Sequence, residues 1–297
     1  MKIKFKNKIF QFKKLELKDK PFFETKYSTH FISCEYSFVN LFIWSDSYAI
    51  KWSDFYGVPL ILNEVDNILF FPLKKISPEE LACLSQEFKK SGGSGIIGYI
   101  PEEYVKNNQK LNDFFKCDMN RDYAEYIHST ERLVALSGRK LSKKKNHITQ
   151  FHNLFESFEL VNVFPDKIRM CMDLSALNAV EGNSNHAKEI LALKKAAKYF
   201  DELELDGRMI LVNGKCAAFS IFSKHIDETC LIHFEKSNYD YKGASQAINR
   251  ITAKYLFEKY QCKYLNREQD LGVDGLRKNK LSYDPDIILN PCFLTPI

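Results

Sequence analysis

Long apolar runs are missing from this 297-residue chain. Phe38 to Trp44 is interrupted by Asn40, and 287–297 contains two prolines. Neither approaches the roughly 20 residues needed to cross a bilayer, so no transmembrane segment is expected. The start, Met1-Lys2-Ile3-Lys4-Phe5-Lys6, alternates lysine with other residues and lacks the apolar core of a signal peptide. The eight cysteines, at 34, 83, 117, 171, 216, 230, 262 and 292, form no CxxC unit, the closest pair standing 14 apart. That spacing argues against a zinc or disulfide framework and predicts reduced, mostly buried thiols in the cytoplasm. His147 and His152 are five apart, the wrong spacing for two ligands on one helical face, so no metal site is expected. No GxSxG, P-loop, HExxH or GxGxxG occurs. With 12 glycines and 9 prolines, no linker rich in either divides the chain.

Aromatic residues are plentiful, at 14%, and 45% of the chain is hydrophobic, which excludes a disordered protein. The net charge is +5. Between Arg132 and Phe155 stand Arg132, Arg139, Lys140, Lys143, Lys144 and Lys145, and no acid. The rest of the chain is nearly neutral, so this is one basic strip and not a basic protein. Leu141, Ile148, Phe151 and Phe155 recur at helical spacing, which predicts a helix with one anchored side. Such a strip either attracts phosphates of RNA, a nucleotide or an anionic membrane surface, or is a solvated helix face.

The pattern of elements reads as two similar halves. The first has a helix at 34–44 and strands at 48–54, 58–63 and 68–72. A helix opened by Pro78, a strand at 95–99, a helix from Pro101 and a strand at 124–127 follow. The second has a strand at 168–173, a helix at 186–200 and a hairpin across Asn213-Gly214. Strands at 228–235, 262–267 and 286–289 alternate with helices at 243–258 and 272–280. This order predicts two mixed sheets with helices packed on them, divided as 1–140 and 141–297 and packed through the basic helix.

Two stretches could carry chemistry. Lys242-Gly243-Ala244-Ser245 begins a helix, where free N–H groups and a lysine suit a phosphate, or simply form a turn. Asn266-Arg267-Glu268-Gln269-Asp270 ends a strand with five polar residues in succession, more than a capped turn needs. Arg277 and Lys280, one helical turn apart, could bind phosphate or carboxylate. His233 lies on an apolar strand, where both a core histidine and a catalytic one are compatible with its neighbours.

Five segments together resemble a known family. They are Ile232-His233-Phe234-Glu235-Lys236; Asn266 through Gly272; and Gly275-Leu276-Arg277 through Lys280-Leu281-Ser282-Tyr283-Asp284-Pro285. The others are Asp122-Tyr123 through Leu136-Ser137-Gly138-Arg139-Lys140 to Lys145-Asn146-His147 and Phe151, and Glu35-Tyr36-Ser37-Phe38-Val39-Asn40 with Trp44. The chain resembles, over nearly its whole length, soluble bacterial proteins related to the C-terminal domain of phosphatidylglycerol lysyltransferase. The resemblance implies an α+β protein of two tandem GNAT-like (acyltransferase) domains, the second carrying the active site. It implies an acyl or aminoacyl transferase using aminoacyl-tRNA or acyl-CoA as donor substrate, with no tightly bound cofactor. The acceptor would be an amine or hydroxyl, attacking directly without a covalent intermediate. The alternative on the same fold is a non-catalytic tRNA- or nucleotide-binding protein.

Under the resemblance, Leu231, His233 and Phe234 would line the donor's acyl arm. Lys242, Gly243, Ala244 and Ser245 would hold its phosphates, although only Lys242-Gly243-Ala244 remains of the usual GNAT phosphate loop. Asn266, Arg277 and Lys280 would complete donor binding. Glu268, then Glu235 and Asp270, are the expected bases. Arg139, Lys140, Lys143, Lys144 and Lys145 would meet nucleic acid or another phosphate-bearing surface.

Overall fold

A computed structural model of the chain describes residues 1–27, 33–177, 184–226 and 228–297. The chain divides into two compact units: 1–31, 35–124 and 289–297 form the first, and 32–34 with 125–288 form the second. The division therefore falls at 124/125, ahead of the expected 140/141, and the last nine residues return to the first unit. Their strand, Cys292–Pro296, inserts between Ile97–Ile100 and Phe115–Met119, so it is built into the first unit's sheet.

The first unit's sheet runs Lys13–Lys14, Ile50–Phe55, Val58–Asn63, Ile68–Phe70, Ile97–Ile100, Cys292–Pro296, Phe115–Met119. Pairing is antiparallel except between Ile68–Phe70 and Ile97–Ile100, joined by the crossover helix Pro78–Lys90. That helix starts where the sequence predicts, because Ser77 and Glu80 form a reciprocal capping box ahead of the proline.

The second unit's sheet runs Phe158–Asn162, Asp206–Val212, Lys215–Lys224, Thr229–Ser237, Tyr264–Gln269, Glu125–Ser129, Ile287–Leu289. The expected Asn213-Gly214 hairpin is present, with both residues at positive φ. Thr229–Ser237 and Tyr264–Gln269 pair in parallel, across the 17-residue helix Ala244–Tyr260. Both units are thus mixed, mostly antiparallel sheets flanked by helices, the α+β architecture expected.

Two further expectations fail. Residues 168–173 form no strand: Ile168–Leu177 is a helix burying Ile168, Cys171, Leu174 and Ser175. Its first six residues hold only the short apolar stretch Met170-Cys171-Met172 between Arg169 and Asp173, too little for periodicity to separate a helix from a strand. Cys230 and Cys262 are joined in a disulfide, their Cα atoms 6.3 Å apart. The parallel pairing of their two strands brings together residues 32 apart in sequence, so no spacing rule could show it. The other six cysteines form no disulfide among the described residues.

The basic helix, Ser142–Leu154, belongs to the second unit. Phe151 packs with Ala244, Ala247 and Ile248 of the long helix, and Leu141 and Ile148 cluster with Leu136. Its apolar side is thus anchored within the second unit. Burying Leu141, Ile148 and Phe151 at roughly 2 kcal/mol each outweighs the cost of lysines at the helix's positive end, about 0.3–1 kcal/mol apiece.

Candidate functional site

Strands Thr229–Ser237 and Tyr264–Gln269 pair for three residues only, ending at Leu231 opposite Asn266. Beyond that point both strands are irregular. On the first, Phe222 pairs with Ile232 and Ile221 with Phe234, leaving His233 as the extra residue of a β-bulge. On the second, the register to Glu125–Ser129 shifts between Asn266 and Gln269, and Glu268 takes φ +55°. Asn266 sets this kink by accepting the Glu268 N–H at 2.8 Å while its own amide donates to the buried Glu125 at 2.5 Å.

The kink turns three successive carbonyls, of Arg267, Glu268 and Gln269, onto one buried ammonium. Lys280 Nζ donates to them at 2.5, 3.0 and 2.5 Å. In a regular strand successive carbonyls point opposite ways. Burial lowers the Lys280 pKa to about 8, which leaves it charged at neutral pH with three N–H groups for three acceptors. Lys280, expected to bind substrate phosphate, instead holds the strand end in shape.

The kink also aims two consecutive side chains across the split. Glu268 Oε1 meets His233 Nδ1 at 3.0 Å, and Arg267 Nη2 donates to Glu235 at 2.7 Å. His233 Nε2 lies 2.8 Å from Ser223 Oγ, completing a chain of Ser223, His233 and Glu268. The His233 side chain is fully enclosed, while Glu268 keeps an edge open. Asn249, on the long helix, donates to both Glu235 oxygens at 3.3 and 3.5 Å. A carboxylate backed by an enclosed imidazole can accept a proton from a bound group and be steadied as it does so.

Asp270, the remaining carboxylate, is wholly buried. It accepts from Arg277 Nε and Nη2 at 2.9 and 2.8 Å, from the Gly272 N–H at 2.9 Å and from the Tyr126 hydroxyl. Burial raises its pKa, but these donors outweigh it and hold the group below the ordinary carboxylate range. Asp270 and Arg277 are engaged with one another, as an anchor for helix Asp274–Leu281, which does not suit them to proton transfer or donor binding.

The start of the long helix also differs from an open phosphate cradle. Gly243 has φ +88°, and a Cβ there would sit 2.2 Å from the His147 carbonyl and 2.9 Å from Phe151 Cβ. The Ala244 N–H is bonded to the Tyr241 carbonyl. Lys242 is exposed and Ser245 half-buried beside this joint. Leu231 and Phe234 are buried where the strands part.

Of the basic strip, Arg139, Lys143 and Lys145 face solvent. Lys140 pairs with Asp284 at 2.8 Å, and Arg132 bridges Asp284 and Asp286. Lys144 turns inward, its Nζ 4.2 Å from the Tyr283 ring centroid, with Arg267 at 4.8 Å from the same ring. Ser223 and Asn249 carry no signal in the sequence, and Tyr283 is marked only as part of a resembling segment; it is the tertiary structure that brings them near the split.

Comparison with known proteins places the fold. Uncharacterized protein MYCGA3080 of Mycoplasmoides gallisepticum (strain R(low / passage 15 / clone 2)) is 25% identical over 206 residues. That match spans 64% of this chain and 60% of the relative, less than two thirds of its length. A conserved protein of unknown function from Bacteroides thetaiotaomicron VPI-5482 superposes with TM-score 0.87 at 28% identity, covering 97% of this chain and 100% of that one. The structure of L-PGS from Bacillus licheniformis shares the fold, with TM-score 0.63 at 13% identity over 95% of this chain and 92% of that one. Residues 28–294 match the family model for phosphatidylglycerol lysyltransferase, C-terminal, and the chain belongs to that family.

Proposed function

We propose that the second unit transfers an aminoacyl or acyl group from a carrier ester or thioester to an amine or hydroxyl. The observation that carries this reading is the split after Leu231 and Asn266, with Glu268 and His233 bonded across it. The donor's acyl arm lies between the parted strands. The acceptor's nitrogen or oxygen attacks the carbonyl carbon, its proton passes to Glu268, and the bond to the carrier breaks as that proton reaches the leaving oxygen or sulfur. His233 and Ser223 steady Glu268 from behind. No covalent enzyme intermediate is required, and the donor comes and goes as a substrate, not as a resident cofactor.

Charged tRNA is the favoured donor. The Gly243 turn is packed against the basic helix, which does not suit a CoA pyrophosphate, and exposed Arg139, Lys143 and Lys145 provide an electropositive approach for RNA. Those cations also favour a second reading, RNA binding without catalysis. One experiment separates the two. Labelled aminoacyl-tRNAs and acyl-CoAs are incubated with a panel of amine and hydroxyl acceptors, using wild type and Glu268→Gln. Transfer by wild type that collapses in the variant supports the enzyme. Salt-sensitive tRNA binding with no transfer by either protein supports the binding module.

A further inference from the structure

Three donor groups, from Lys144, Arg267 and Tyr283, meet around the Tyr283 ring, and Glu235 is bonded to Arg267 alone of the three. Tyr283 is 2% exposed, and its hydroxyl has no hydrogen-bond partner among the described residues; the same holds for the buried Nη1 of Arg267. Arg267 is 7% exposed, and its Nη2 reaches Glu235. Lys144 completes the group, its ammonium over the same ring and paired with no carboxylate among the described residues. Glu235 neutralises Arg267, so the cluster carries one net positive charge. A buried donor left unsatisfied costs about 1–3 kcal/mol, and two such atoms beside one ring call for a ligand that accepts.

The basic helix adds a second argument. Its first turn carries Lys143, Lys144 and Lys145 with no acidic residue and no side-chain cap. Cations at a helix's positive end repel the helix dipole, whereas an anion there is stabilised. The lysine turned inward is the one from this turn.

We infer that Lys144, Arg267 and Tyr283 form a subsite for a phosphodiester of single-stranded RNA, the last phosphate before an aminoacylated 3′ end. This rests on the transferase reading above and specifies how its donor is held. A phosphodiester carries one negative charge, matching the cluster. Arg267 precedes Glu268, so a nucleotide whose phosphate sits at Arg267 places its 3′ ester at the proposed base. Arg139, Lys143 and Lys145, exposed on and beside the same helix, lie where the preceding phosphates would run. Burial, Arg267 and Lys143 lower the Lys144 pKa to about 8, a strain that a bound anion relieves.

The test measures binding of an uncharged RNA minihelix ending in CCA, and of the same RNA lacking its last nucleotide. Fluorescence anisotropy over a salt series compares wild type, Tyr283→Phe, Lys144→Gln and Lys143→Gln/Lys145→Gln. Tyr283→Phe removes only the unsatisfied hydroxyl, so the free protein melts at the same or a higher temperature while RNA affinity falls roughly 3- to 10-fold. Lys144→Gln lowers the salt slope by about one. The truncated RNA binds wild type more weakly and no longer distinguishes wild type from Tyr283→Phe. Wild-type affinity in both Tyr283→Phe and Lys144→Gln overturns the subsite, even if charged tRNA still supports transfer. The subsite also falls if these variants lose binding to phosphatidylglycerol vesicles while RNA binding is unchanged. The expected binding pattern without transfer from charged tRNA upholds the subsite and sinks the transferase reading alone.

Discussion

His233 Nδ1 and Glu268 Oε1 stand 3.0 Å apart just past the last ladder pair between their strands. Both residues sit on irregular backbone, one the extra residue of a bulge and the other at positive φ. Two irregularities facing each other cost stability and position a polar pair where regular strands would place a ladder bond.

Glu268→Gln should lower transfer about 10²- to 10⁴-fold, the usual contribution of a general base. Circular dichroism and melting temperature should change little, since glutamine still bonds to His233. His233→Gln should give a smaller loss and move the pH–rate profile. Equal rates for Glu268→Gln and wild type on an active donor pair would remove Glu268 from the mechanism.

Gly243→Ala should destabilise the second unit by about 2–3 kcal/mol. The added methyl group meets a backbone carbonyl and the residue must hold φ +88°. Urea unfolding would show a lower midpoint. An unchanged midpoint would mean that the basic helix is not seated on this turn.

Asp270 provides a pH signature. Its folded pKa lies below the unfolded value near 3.9. Its contribution is therefore complete above about pH 5 and is lost as pH falls through the folded value. Asp270→Asn should cost about 3 kcal/mol at pH 7, because Arg277 loses its anion. The gap between variant and wild type should close in acid. A gap that does not narrow at all as the pH falls below about 4 would contradict the ion pair.

Lys144 titrates in the opposite sense. Its folded pKa is about 8, held down by burial, Arg267 and Lys143, with the Tyr283 ring as its other neighbour. A bound phosphate raises that value, so RNA affinity should fall as pH rises from 7 to 9. In Lys144→Arg that dependence should vanish, because arginine stays charged. A flat wild-type profile over this range would rule out Lys144 as a contact.

Much of the fold was legible in the sequence, and the reasons are local. The Ser77/Glu80 cap, Pro78, the Asn213-Gly214 turn and the periodic apolar positions of the basic helix act over a few residues. The candidate site was half legible. Five polar residues from Asn266 to Asp270 mark a strand end with more to do than turn. Which of them reaches across the split was not readable, because alternation along a strand predicts opposite directions for Arg267 and Glu268. The kink held by Asn266 and Lys280 breaks that alternation.

By itself, then, the amino-acid sequence determined the family, the two α+β units and the strand ends where chemistry could occur, since those depend on short-range patterns. The tertiary structure alone decided the roles. It buried Lys280 and Asp270 as supports, paired Cys230 with Cys262, and turned Lys144 inward from an otherwise exposed strip. It also set Glu268 against His233. Each of these depends on residues far apart in the chain meeting through sheet order and strand register, and no local spacing encodes that meeting.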